Sequence, residues 1–200
     1  ESGDSSKPVI FLFPGTCCLY SSFDHILDGL HSYFYTVTVS YDGFDPNEKT
    51  EFYSMEDECE KIELEIKKKY GGRIKAAYGC SLGGSFVSLL IQRKRIHIDH
   101  GIIGSSDMDE AGRLVAKIQS SMVVPFMYKM IHTGALPKFM QKKLNKTDEV
   151  KKELYNGFLN MFGIGKGGSP WITKQSIYNQ FYSDLVTKVQ HGIDVPGTTI

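Results

Sequence analysis

The alternation of apolar and polar segments divides the first half of the chain into strands and helices. Segments rich in apolar residues predict buried strands, and the helix between the second and third of them has an apolar face at helical spacing, opposite Glu and Lys. The predicted strands are 9–13, 35–41, 74–78 and a segment that starts at Ile98; the apolar helix face is Met55, Cys59, Ile62 and Ile66. This order predicts an α/β fold, a mostly parallel sheet with helices on both faces.

The second half of the chain changes to a helical pattern. Apolar residues recur at helical spacing from Leu114 onwards, and Pro125, Gly134 and Pro137 are expected to break this region into short helices. The chain closes with an extended segment, 192–200, typical of the start of another core strand. The sequence therefore predicts an α/β core in 1–110, a helical insertion in 111–191 and the beginning of a further strand in 192–200.

One motif lies where a predicted strand meets a predicted helix. In Gly79-Cys80-Ser81-Leu82-Gly83, small residues occupy the positions two before and two after the serine. A turn this tight admits only residues without bulky side chains, and it places a serine hydroxyl at the N-terminus of a helix. One residue in ten is glycine, so the motif alone is weak evidence, and its position between strand and helix is what favours a nucleophilic serine.

With the turn Pro14-Gly15-Thr16 after the first strand, the chain resembles α/β-hydrolase-fold serine hydrolases with a helical lid, of the esterase and lipase type. The resemblance runs from about Pro8 to Ile200. It implies that Ser81 is the nucleophile, that the backbone N–H groups of Thr16 and Leu82 form the oxyanion hole, and that the insertion 111–191 is a lid. Pro14 stands where the family usually has histidine.

The same resemblance places the acid and the histidine of a catalytic triad after the strand that begins near Val195. We therefore expect the histidine beyond Ile200, with the present chain truncated at its C-terminus, and identify no catalytic histidine in 1–200. Asp107 is a candidate for the acid, because it follows a core strand at the edge where Ser81 is expected.

The predicted lid is rich in Met and Phe, which indicates a small apolar acyl substrate. The candidate pocket residues are Cys17, Phe126, Met127, Met130 and His132. The predicted function is hydrolysis of an ester, thioester or amide through an acyl-enzyme on Ser81; peptidase-like or acyltransferase activity stays open. The alternative is a protein that binds a small ligand or a partner on a hydrolase-like fold without turnover.

Composition and charge exclude further classes of binding partner and cofactor. The 23 Lys and Arg balance the 23 Asp and Glu, so nucleic acid is not an expected partner. No apolar run reaches the ~20 residues of a membrane span, and we expect a cytoplasmic protein. The four cysteines lack metal-ligand spacing and no nucleotide-binding motif is present, so neither a metal nor a cofactor is expected. Oligomeric state stays open, with a homodimer as one option.

Overall fold

The four strands of the sheet all run parallel. A computed structural model describes residues 1–106, 110–163 and 167–200, apart from the side chains of Lys143 and Phe158. Its strands are β1 (Val9–Phe13), β2 (Tyr35–Thr38), β3 (Arg73–Cys80) and β4 (His97–Gly104). They lie in the order β2-β1-β3-β4, and every neighbouring pair is parallel. The predicted α/β fold is confirmed.

Helices connect and cover these strands. They are α1 (Asp24–His31), α2 (Met55–Tyr70), α3 (Leu82–Arg93), α4 (Arg113–Thr133), α5 (Lys138–Leu144), α6 (Glu149–Asn160) and α7 (Lys174–Val186). Side chains of β1 alternate between the two faces: Ile10 and Leu12 pack in a small cluster with Phe23, whereas Phe11 and Phe13 belong to the main core. Both faces of the sheet are therefore covered, as parallel sheets require.

Helix α2 illustrates how local sequence sets an element. Ser54 Oγ accepts the N–H of Asp57 at its start, and Gly71, with φ 62°, ends it in the left-handed conformation. Its predicted apolar face is buried against the main core. Acidic residues occupy its first turn and lysines its last, an arrangement that the helix dipole favours.

The order of the strands creates a crevice. From β1 the chain crosses to β2 on one side, and from β3 it crosses to β4 on the other. The two central strands are paired up to Phe13 and Gly79, and beyond that pair their connections diverge. Such a switch point, outside the carboxyl ends of the strands, is where open α/β sheets bind ligands.

Pro125 does not break the insertion as predicted. It lies inside α4, which runs unbroken over 21 residues. Proline removes one N–H and so leaves the carbonyl of Ser121 without its helical partner. Both residues are exposed and line a shallow cavity of about 320 Å³, so water can reach that carbonyl and the helix tolerates the proline.

The last described residues lie along the free edge of β4. Gly101 N–H donates to Thr199 O (2.8 Å) and Thr199 N–H donates to Asp99 O (2.9 Å). These bonds form a parallel bridge between Thr199 and His100. The segment thus continues the parallel pairing of the sheet at the side opposite β2.

Candidate active site

Ser81 is the single residue between β3 and α3. Its backbone has φ 52° and ψ −122°, a conformation that costs free energy for a residue with a side chain. Ser81 N–H donates to Gly104 O on β4 (2.8 Å), which holds the turn against the sheet. The residue is exposed at the carboxyl edge of the sheet, so its hydroxyl is accessible. This is the geometry of a nucleophile elbow.

The flanking glycines are required by close backbone contacts. A β-carbon on Gly79 would overlap the carbonyl of Gly83, and one on Gly83 would overlap the carbonyl of Phe13. A third glycine, Gly84, faces Ser106, whose β-carbon would be only 2.7 Å from an added methyl group. The helix can therefore follow the strand after one residue only because side chains are missing at these positions.

The turn after β1 lies beside the elbow. A β-carbon on Gly15 would be 3.5 Å from the Ser81 β-carbon and 3.3 Å from Cys80 O, so the two backbones are in contact. Cys18 N–H donates to Gly15 O (3.0 Å) and closes the turn. Within the described part of the chain, the N–H groups of Thr16 and Leu82 have no acceptor. They are thus available to a negatively charged oxygen at Ser81.

Two side chains hold this turn, and the sequence analysis identified neither. Tyr41 donates its hydroxyl to Pro14 O (3.1 Å), and its ring stacks on Phe86 of α3 with centroids 4.7 Å apart. Gln180 of α7 accepts the N–H of Cys17 at 2.8 Å. Burial raises the pKa of Tyr41 well above its usual value, so its hydroxyl stays protonated and can donate.

The rest of a catalytic triad is not assembled among the described residues. Asp107, the candidate acid, lies outside them. The strand that leads towards it ends beside the elbow, where Ser106 Oγ lies 3.2 Å from Ser85 Oγ of α3. Within the described part of the chain, no histidine is hydrogen-bonded to Ser81.

Two histidines have other partners. His31 Nε2 lies 2.9 Å from Ser2 Oγ and 3.0 Å from Thr36 Oγ1, and His97 Nε2 lies 3.3 Å from Asp99 Oδ1 at the start of β4. His132, the pocket candidate, is near the end of α4 with its ring centroid 5.0 Å from that of Tyr128. Its buried Nδ1 has no protein partner among the described residues.

Three of the other pocket candidates lie on α4, and the fourth, Cys17, follows β1. Cys17 is fully buried in the turn after β1, and Met130 is buried in the main core with Met127 packed against it. Phe126 is 41% exposed and shares a cavity of about 200 Å³ with Met130 and Leu136. Ser81 is not among the residues that line this cavity.

A larger cavity of about 590 Å³ lies between the turn Tyr20–Phe23 and α6. Its lining is mixed, with Ser21 and Ser22 of the turn and His25 of α1 on one side and Leu154 and Met161 on the other. Leu19 N–H donates to Met161 O (3.0 Å), so this part of the insertion is joined directly to the segment that follows the Thr16 turn.

Two buried thiols lie in the turn after β1, and a group of carboxylates lies on α2 and the segment before it. Burial raises the pKa of Cys18 to about 12 and that of Cys17 well above its usual value, so both thiols stay protonated. Among the described residues, Asp42, Asp57 and Glu58 are close enough together to hold a metal ion. Lys61 Nζ already pairs with all three carboxyl groups, at 2.5 Å from each aspartate and 3.3 Å from Glu58.

Solved structures resemble this fold at low sequence identity. An alpha/beta hydrolase family protein from Desulfitobacterium hafniense has a TM-score of 0.67 and 15% identity, with 92% of this chain and 70% of that one covered. A carboxylesterase structure from Nitrososphaera gargenis gives 0.64 and 13%, with 96% and 68% covered. MenH from S. aureus gives 0.65 and 10%, with 94% and 71% covered. No family model and no curated protein matches the sequence.

The protein therefore has the α/β-hydrolase fold. The chain spans about seven tenths of the length of these solved structures. No helix in the described ranges is both long and apolar enough to cross a bilayer.

Proposed function

We propose that this protein is a serine hydrolase that cleaves a carboxylic ester, or a thioester or amide, through an acyl-enzyme on Ser81. The observation that carries the proposal is the strained, exposed Ser81 at the switch point between β1 and β3. A backbone conformation this costly persists only where the surrounding structure imposes it, and such positions concentrate at active sites.

The geometry supports a two-step acyl transfer. Ser81 Oγ attacks the carbonyl carbon of the substrate while a base takes its proton, and the carbonyl oxygen becomes an oxyanion. The N–H groups of Thr16 and Leu82 donate to that oxyanion, and the partial positive charge at the N-terminus of α3 adds to their effect. The leaving group takes the proton, and water then releases the acyl group from Ser81.

The base and the acid belong to the proposal as well. A serine hydroxyl needs a base within hydrogen-bond distance to become a nucleophile. By the resemblance to serine hydrolases we propose a histidine for this role, with Asp107 or another carboxylate to orient it. The carboxylesterase from Nitrososphaera gargenis, similar to this chain in fold, supports a carboxylic ester as the default substrate.

The proposed substrate has a small apolar acyl group, with Phe126 and Met127 of the proposed lid among its contacts. Each methylene group removed from water contributes about 0.8 kcal/mol, so selectivity should rise with acyl length until the pocket is full. Met127→Ala and Phe126→Ala should then move the optimum of kcat/KM in a p-nitrophenyl ester series towards longer acyl chains. An unchanged optimum in both variants would contradict the pocket assignment. We also propose a cytoplasmic location, with a homodimer as one option for the oligomeric state.

Ester hydrolysis by the full-length protein tests the function. Ser81→Ala should lower kcat on p-nitrophenyl butyrate by about 10³-fold or more, because no other group can form the acyl-enzyme. The control Ser121→Ala, at an exposed position on α4, should keep the wild-type rate. A wild-type protein without measurable turnover would favour the alternative, ligand binding without catalysis.

A further inference from the structure

The side of α7 that is buried is polar. Ser176, Gln180 and Ser183 are at most 3% exposed and recur at helical spacing. Each accepts a backbone N–H from the core: Ser176 Oγ from Phe52 (3.2 Å), Gln180 Oε1 from Cys17 (2.8 Å) and Ser183 Oγ from Met55 (2.7 Å). The helix is therefore joined to the core by directional bonds, of which one reaches the proposed oxyanion turn.

That turn has a conformation that its sequence does not favour. Gly15 to Cys18 form a turn closed by the bond from Cys18 N–H to Gly15 O. Its third residue, Cys17, has φ 60°, whereas Thr16 is not among the residues with positive φ. A positive φ at the third position alone defines a type II turn, which normally has glycine there. Cysteine gains nothing locally from this conformation, so a contact outside the turn must stabilise it.

Gln180 supplies this contact. In a type II turn the central peptide, here between Thr16 and Cys17, is flipped relative to the commoner type I turn. Gln180 Oε1 accepts the N–H of that central peptide and so stabilises the flipped orientation. The buried amide Nε2 of the same side chain has no partner among the described residues. An apolar residue would satisfy packing alone without burying an unpaired donor, so the bond to Cys17 is the interaction that accounts for glutamine here.

The conformation of this turn sets the direction of the proposed oxyanion donor, the N–H of Thr16. Thr16 N–H and Gly15 C=O belong to one planar trans peptide and point in opposite directions. Because Gly15 O accepts from Cys18 inside the turn, Thr16 N–H points out of it. Gly15 itself lies beside Ser81, since a β-carbon on it would be 3.5 Å from the Ser81 β-carbon. A turn that relaxed at Cys17 would change this direction.

We infer that Gln180 is a positioning residue for the oxyanion hole: by accepting the N–H of Cys17 it holds the turn that aims Thr16 N–H at Ser81. This role rests on the proposed function. It also links the insertion to catalysis, because Gln180 lies on α7 and the turn lies 163 residues earlier in the chain. The side chain acts through the turn and does not touch the reacting atoms.

Three variants of the full-length protein test this role on p-nitrophenyl butyrate. Gln180→Met keeps a similar length and removes the acceptor. Gln180→Glu keeps an acceptor at the same position. The control Gln175→Met makes the same change at an exposed position of α7. Each variant is assayed for kcat, KM, pH dependence and thermal unfolding, well below its own Tm.

Gln180→Met should lower kcat between about 10-fold and 100-fold and change KM less than about threefold, because an oxyanion donor acts mainly in the transition state. Gln175→Met should leave both parameters unchanged. Gln180→Glu should retain most activity at low pH and lose it as the introduced carboxyl ionises, because a negative charge near the turn opposes the oxyanion. That extra loss at rising pH would be absent from the wild type.

The outcomes separate the two proposals. A Gln180→Met variant that loses thermal stability but keeps wild-type kcat would overturn the positioning role and leave the proposed function intact. If Gln180→Met does not fold, the pH profile of Gln180→Glu decides, and a profile identical to that of the wild type overturns the role. A wild-type protein that hydrolyses no ester overturns the proposed function, and this role with it.

Discussion

Gly83 lies where α3 passes closest to the sheet. Since an added β-carbon would meet the carbonyl of Phe13, Gly83→Ala should force the helix away from β1. We expect a loss of more than about 2 kcal/mol in the free energy of unfolding, as for other overpacked sites. Gly29→Ala is the matched control, because Gly29 is an exposed position of α1 with open space around it. That change should stabilise by about 0.5–1 kcal/mol. Urea unfolding of both variants gives the comparison. A Gly83→Ala variant with the same free energy of unfolding as the wild type would contradict this account of the elbow.

Glu58 should make stability depend on pH in an unusual direction. Burial raises its pKa from 4.5 to about 7, with the Asp42 carboxylate as a further cause. Between those values the folded protein binds the proton more tightly than the unfolded chain does, so the contribution of Glu58 to stability is fully present below pH 4.5 and is lost as pH rises through about 7. The contribution lost is roughly 3 kcal/mol.

Glu58→Gln should remove this component of the pH dependence, because the amide does not ionise and keeps an acceptor for Asp42 N–H. Glu56→Gln, exposed in the same first turn of α2, is the control and should keep the wild-type dependence. Urea midpoints measured from pH 4.5 to pH 8 give the comparison. Equal slopes for wild type and Glu58→Gln would show that Glu58 is ionised in the folded protein throughout.

In α7 the polar side chains are more deeply buried than most of the apolar ones. Ile177 is buried, but Phe181 and Leu185 are only half-buried, while the serines and the glutamine of the polar stripe are at most 3% exposed. Hydrophobic periodicity identifies a helix face that meets side chains. The same periodicity cannot identify a helix face that accepts backbone N–H groups, because the location of those groups depends on distant loops.

Ser183→Ala tests whether this polar stripe attaches α7 to the core. The change leaves the buried N–H of Met55 at the start of α2 without its acceptor and should lower the free energy of unfolding by about 1–3 kcal/mol. Ser121→Ala, at an exposed position of α4, should change stability by less than about 0.5 kcal/mol. Equal thermal unfolding of the two variants would mean that water replaces the lost acceptor and that the stripe adds little.

The other elements could be read from the sequence to different degrees. Continuous apolar segments predicted the strands because a parallel sheet buries both faces. The apolar spacing of α2 predicted its buried face for a similar reason. Pro125 led to a wrong break in α4, since the cost of proline inside a helix depends on whether the freed carbonyl at Ser121 reaches water. Only the tertiary structure shows which side of α4 faces water.

At the scale of the whole molecule, the fold could be predicted from the alternation of apolar strands and amphipathic helices along the chain. The contacts that shape the candidate site could not be predicted in this way. The motif around Ser81 is local, and its physical requirements can be read from adjacent residues. The contacts that shape the proposed oxyanion turn come from Tyr41 and Gln180, far away in sequence. The signal available in the sequence was a polar residue, Gln180, on the same side of the helix as the apolar Ile177. Hydrophobic periodicity considers only apolar residues and therefore does not identify it.

Reaction of the full-length protein with a fluorophosphonate tests the central claim most directly. The probe forms a covalent bond only with an activated serine, and peptide mapping by mass spectrometry identifies the residue modified. We predict a single adduct on the peptide that contains Ser81, lost in Ser81→Ala and retained in Ser121→Ala. An unlabelled wild-type protein, or an adduct on another serine that persists in Ser81→Ala, would contradict the assignment of Ser81 as the nucleophile.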